Sequence, residues 1–229
     1  MRITSRLSLG FFSAGAMVAL AAALGAGPDT RGLRLGAAPV QSLGAMTFGP
    51  DGTLFIADPS AGNLVALEVA DRGTATFDGR PMVPNLGAKA AAVLGTTADR
   101  IRFHDMAVHP KTRSVYLTVS RIDGNDARPA LLRVSGSNAI ELVNLDNIRH
   151  AVAPIPGAPT RTATTPWGQP SWRLAVTDLA FVDGQLYVAG LSNEQFASAL
   201  RRVPFPFGKP AALNTVEIYH TSHNKWETA

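Results

Sequence analysis

The chain of 229 residues contains no cysteine. A disulfide scaffold, a thiolate nucleophile, a zinc ribbon and c-type haem attachment are therefore excluded together. Stability must come from an ordinary packed core, which a chain of this length can supply as one domain. Beyond the N-terminal region no apolar run approaches bilayer-spanning length. No later segment sustains a period of 3.6, and only 88–94 and 193–200 could make short helices. Charge is sparse as well, with 21 Lys+Arg against 17 Asp+Glu. The basic residues are scattered, and Arg201-Arg202 is their only adjacent pair. A basic stripe interleaved with aromatics is missing, which argues against nucleic-acid binding. Neither a G-x-S-x-G nucleophile elbow nor a phosphate-binding G-x-x-x-x-G-K-[ST] loop occurs.

What is present begins with an export pattern. Arg2 and Arg6 precede an apolar stretch over 7–24, and Ala21, Ala23, Gly25 and Ala26 offer small residues for a signal peptidase. The expectation is a signal peptide over 1–26 and a periplasmic or secreted protein. The alternative is an uncleaved membrane anchor, which would be the chain's sole link to a membrane. Without Arg2 and Arg6, 19 basic residues face 17 acidic ones, so the mature net charge is about +2.

The remainder is organised by a segment written three times. It reads Ala45-Met46-Thr47-Phe48-Gly49-Pro50-Asp51-Gly52-Thr53-Leu54-Phe55-Ile56-Ala57-Asp58 first. It returns as Asp105-Met106-Ala107-Val108-His109-Pro110 with Val115-Tyr116-Leu117-Thr118, and again as Asp178-Leu179-Ala180-Phe181-Val182-Asp183-Gly184-Gln185-Leu186-Tyr187-Val188-Ala189. Each copy is an apolar strand, a tight polar turn and a second strand rich in aromatic and β-branched residues. Asp-Gly between such strands is a hairpin signal, because glycine supplies the positive φ. A third strand follows each copy at 63–69, 130–134 and 199–203, and a weaker fourth is expected at 75–77, 139–143 and 216–219.

Four antiparallel strands per repeat is the β-propeller blade. The sequence thus predicts an all-β chain, an incomplete β-propeller of about three four-stranded blades near 40–78, 103–148 and 174–219, within a domain over 27–229. Three blades are too few to close a ring, and 220–229 reads as the start of a further blade. The linking segments 79–102 and 149–173 are long. The second holds Pro154, Pro156, Pro159, Pro166 and Pro170, which predicts irregular structure.

Gly49-Pro50-Asp51-Gly52-Thr53-Leu54-Phe55-Ile56-Ala57-Asp58 resembles the blade signature of the NHL-repeat, streptogramin-lyase-like and SMP-30 gluconolactonase-like propellers. The likeness runs to Val69 and is looser in the other two copies. It implies a propeller, and for the gluconolactonase-like enzymes a divalent metal at the channel mouth. Where those enzymes carry an Asn-Gly pair, this chain has Gly44-Ala45.

Several residue groups could carry chemistry. Asp105 and Asp178 hold the same place in two copies and could converge on Ca²⁺ or Mg²⁺, or each could bond a neighbouring blade's backbone. His104 lies beside Asp105, whereas His109 at the hairpin turn is expected on the surface. His220, His223 and Glu227 in the tail could bind Zn²⁺, or form a polar linker. In a metal site His220 would be a ligand with the two aspartates, and His223 or Glu227 would carry a proton. Trp167 and Trp172 could line a ligand groove or pack their loop. The leading expectation is a small molecule or protein bound on the loop-rich face. The alternatives are a metal-dependent hydrolase or lyase and a structural scaffold.

Overall fold

The computed structural model describes residues 31–71, 82–136, 138–194, 197–220 and 225–227. The segment expected to be a signal peptide and the strand expected at 75–77 lie outside them.

The first repeat forms β2 (Met46–Phe48), β3 (Thr53–Asp58) and β4 (Asn63–Glu68). Asp51 builds the turn between β2 and β3: its carboxylate accepts from Thr53 N at 3.0 Å and from Thr53 Oγ1 at 2.8 Å. Gly52 takes φ 96°, and a Cβ there would lie 2.7 Å from His109 Nε2. Asp58, fully buried, closes the motif. Its oxygens accept from the Gln41, Ser42 and Ala61 amides and from the Ser42 hydroxyl, at 2.7 to 3.1 Å. The signature residues therefore serve to shape turns.

The second repeat gives β5 (Ile101–Val108), β6 (Val115–Asp123), β7 (Asp126–Val134) and β8 (Ile140–Leu142), all antiparallel. The third gives β10 (Asp178–Val182), β11 (Gln185–Leu191), β12 (Ser198–Pro204) and β13 (Ala212–Thr215). The first sheet is completed from elsewhere in the chain: β9 (Ile148–Pro154) pairs with β4, and β1 (Arg34–Gly36) pairs with β9. The segment after residue 149 is thus partly strand, because the prolines that break it begin only at Pro154. Along the chain between the first two repeats comes α1 (Leu86–Val93), close to the expected short helix. The other helix expectation fails, since 198–204 alternates buried and exposed residues as a strand. The fourth strand of the third sheet falls at 212–215 rather than 216–219. Beyond it, β14 (Ile218–His220) and β15 (Lys225–Glu227) form a separate hairpin.

The sheets stand side by side with the first in the middle. Its innermost strand β2 lies against β5 on one side and β10 on the other. Met46, Ile56 and Val65 pack against Tyr116 and Leu131 of the second sheet. Phe55, Ala57 and Leu64 pack against Leu179, Leu186 and Val188 of the third. The far face of the second sheet is covered by Ala90 and Ala91 of α1. Equivalent positions keep their directions: Phe55 looks toward the third sheet and Tyr116 toward the first, while Tyr187 alternates with Leu186 and Val188 and looks away from the first. One rotation therefore relates second to first and first to third, which is the blade-to-blade relation of a propeller. The described residues form an incomplete β-propeller of three blades. Their spatial order is second, first, third, because the chain passes back along the first blade as β9 before reaching the third.

Arg201 anchors the third blade. Its residue is fully buried, and its donors reach only backbone carbonyls. Nε donates to Pro156 O at 2.5 Å, Nη1 to Ala175 O at 3.1 Å, and Nη2 to Leu191 O at 2.6 Å and Gly157 O at 3.4 Å. Burial lowers its pKa, yet a guanidinium stays charged at neutral pH. Beside it, a Cβ on Gly190 would lie 2.3 Å from Ala175 O, so β11 can pass this turn only without a side chain. Arg201→Met is expected to remove a donor from four carbonyls, of which Gly157 O keeps Asn193 N, and to cost at least about 3 kcal/mol. Urea unfolding measures this; a loss below about 1 kcal/mol would show that the carbonyls find other donors.

Candidate functional site

A crevice of about 630 Å³ lies between the outer parts of the first and second blades. It opens where β4 ends, where β8 ends and where β9 begins. Three carboxylates line it, from Glu68, Asp71 and Glu141, against two guanidiniums, from Arg133 and Arg149. Asn144 and Asn147 add amides, and Leu142, Val143 and Ile148 add an apolar wall.

Its floor is a buried polar network. The Asp71 side chain is 1% exposed, with Oδ1 3.3 Å from Arg133 Nη1. Asp71 Oδ2 accepts from Thr112 Oγ1 at 2.5 Å, and the Tyr116 phenol lies beside the same carboxylate. Burial foremost, then the Asp71 charge, pushes the Tyr116 phenol far above its usual pKa, so it remains a neutral donor. Arg133 Nε is buried with no partner among the described residues. At the rim, Glu68 joins Arg31 Nη2 at 2.6 Å and Arg149 Nε at 3.6 Å. The Glu141 carboxylate stays 3.9 Å from Arg133 Nη1 and is more than half exposed, which leaves it open to a ligand.

The residues singled out in the sequence lie elsewhere. Asp105 sits on the innermost strand of the second blade. Its Oδ2 accepts from Met46 N of the first blade at 2.7 Å, and its Oδ1 from Met106 N at 2.7 Å. A bulge at His104 aims it, because the register slips between Phe103 and Asp105. Thr118 Oγ1 reinforces the junction by donating to Gly44 O at 2.9 Å. Asp178 holds the equivalent place on β10, is exposed, and accepts from Leu179 N at 2.8 Å. Strand β2 of the central blade lies between the two strands that carry these aspartates. Among the described residues no group of three or more His, Asp or Glu could hold a metal. His223 lies outside the described residues, as do the side chains of His220 and Glu227.

His104 is exposed and its Nε2 pairs with Ser120 Oγ at 2.8 Å, while desolvation lowers its pKa. His109 is the correction: it is only 5% exposed. The Gly52 turn and Phe48, whose ring centre is 5.0 Å away, enclose it. Its Nδ1 accepts from Thr112 N at 3.1 Å and Lys111 N at 3.3 Å, making it a structural histidine. Trp172 is half-buried and packs its loop, with the Arg161 guanidinium 4.1 Å above the ring. Trp167 stands 84% exposed. Nothing in the sequence signals the crevice beyond the charges themselves, because its walls come from two blades and a strand far along the chain.

The sequence matches no known family profile and no curated protein. Among solved structures it is similar to a Thermus thermophilus protein described as an oxidoreductase (glucose dehydrogenase), at 20% identity and a TM-score of 0.21. The match covers 78% of this chain and 48% of that one, so the chain spans about half the length of its structural neighbour. A likeness of this degree carries no argument about activity.

Burial foremost lowers the His109 pKa below 6.5; the Asp71 charge opposes it, the Lys111 and Arg133 charges add to it, and Asp51 opposes it weakly. Well above pH 6.5 both folded and unfolded states hold it neutral, and its packing contributes in full. Below that, the unfolded chain binds the proton first, so stability falls as pH drops toward the folded value. Urea midpoints between pH 7 and 5 should decline, and His109→Gln should flatten the slope. An unchanged slope in that variant would assign the loss to other groups.

Proposed function

We propose that the protein is an exported propeller that binds a small polar ligand in the crevice between its first and second blades. The carrying observation is a concavity of about 630 Å³ whose wall alternates carboxylate, guanidinium and amide over an apolar patch. That volume falls in the range of small-molecule sites. Three carboxylates against two guanidiniums leave the lining at about −1, which disfavours an anion. A zwitterion or a neutral polyol offers both donors and acceptors to such a wall. The Asp71–Tyr116–Arg133 network fixes the floor, while Glu141, Asn144 and Asn147 present the groups that contact the ligand. Export rests on the N-terminal pattern of Arg2, Arg6 and the apolar stretch behind them.

A thermal-shift panel of free amino acids, neutral sugars and small dicarboxylates tests this reading. A zwitterion or sugar is expected to stabilise the protein, by about 2.7 kcal/mol at a hundred times its Kd, and dicarboxylates should not. The shift should vanish in Glu141→Gln combined with Asn147→Ala. No response from any probe, or an equal response in the double variant, would remove the crevice as the binding site.

A further inference from the structure

We propose that the segment 155–177 docks the protein on an anionic lipid surface, with Trp167 as the inserting side chain and Arg161 and Arg173 as headgroup contacts. The tip is built to hold its place. Thr164 bridges Pro170, Thr165 N donates to Gln169 O at 2.7 Å, and Ser171 N donates to Ala163 O at 2.9 Å. Gly168, at φ 77°, closes the turn by donating to Thr165 O at 2.9 Å. Thr165 and Ser171 are each 8% exposed, so the base of this small hairpin is rooted in the protein. Its apex, Pro166-Trp167-Gly168, is wholly exposed, and Trp167 is the most exposed large apolar side chain among the described residues at 84%. A hairpin that spends this many backbone bonds to project one indole has already met the ordering cost of an anchor.

The flanks set the sign of the partner. From Asn147 to Thr177 the sequence has no aspartate or glutamate, while it carries Arg149, Arg161 and Arg173. Arg161 lies over the Trp172 ring and donates to Ser60 O, which fixes its guanidinium at the surface. Arg173 lies 5.3 Å from the same ring. An indole belongs at a membrane–water boundary, and each surface arginine adds about 1 kcal/mol toward anionic lipid. A sugar polymer fits less well. Pro166 and Gly168 offer no side-chain hydrogen bond beside Trp167, and Arg161 covers the Trp172 face. This inference is independent of the crevice.

The test uses the full chain with vesicles of phosphatidylcholine, alone or with phosphatidylglycerol. The N-terminal apolar stretch gives all variants the same background. Because the chain lacks cysteine, Gln169→Cys with an environment-sensitive dye reports on the hairpin tip alone. The dye should shift to the blue with mixed vesicles, more weakly with neutral ones, and less as salt rises. Sedimentation should show binding about tenfold weaker in Trp167→Ala and about fivefold weaker in Arg161→Gln or Arg173→Gln, at unchanged melting temperature. An unshifted dye, equal response to neutral vesicles, or Trp167-dependent binding to alginate without vesicle binding would each overturn the proposal.

Discussion

Burial of the first blade on both faces is the constraint on which the rest of the fold depends. Every residue of β3 is buried, Thr53 and Asp58 included. An isolated antiparallel sheet solvates one face, but this one serves as the partner of two others. That explains the near-continuous apolar run Leu54-Phe55-Ile56-Ala57, where strict alternation would be expected of a half-exposed strand. It also explains why the fullest copy of the blade signature is found here: both faces and both turns are constrained. The outer face of the second blade is finished by something other than a blade. It is capped by α1 through Ala90 and Ala91, small enough to let helix and sheet approach.

Polar groups in this core act mainly through backbone. Asp58, Asp105 and Arg201 each spend their hydrogen-bonding capacity on amides or carbonyls of other segments. Buried polar groups so satisfied fix which segments meet, at little net gain in stability. Asp105 ties second blade to first, while Ala45 at the equivalent place has no carboxylate to offer the third. The junction of first and third relies on rings: Phe55 stacks on Phe181 at 4.8 Å and meets Phe205 edge-on at 4.8 Å. Two junctions of one geometry are thus held by different chemistry. The loop that presents Trp167 leads into the aromatic junction.

Much of the architecture was legible. Three copies of strand, turn and strand announced the hairpins, and Asp51-Gly52 and Asp183-Gly184 marked turns with the positive φ expected of them. The site was less so. Asp105 and Asp178 look alike in sequence, yet one bonds a neighbouring blade and the other faces solvent, because the rotation that places a blade beside β5 leaves β10 at an open side. His109 reads as a turn residue, but Phe48 and the Gly52 turn come from about 60 residues away to bury it.

By itself, the sequence determined the threefold repeat, the strand partners within each copy and the absence of thiol chemistry. Those follow from local alternation, turn residues and composition. Only the tertiary structure decided that β9 completes the first blade and that the blades stand in the order second, first, third. Only there do Asp71, Tyr116, Arg133 and Glu141 become the floor and wall of one crevice. Such facts depend on long-range packing, where the burial of whole sheet faces outweighs local preference and brings distant charges within a few ångströms.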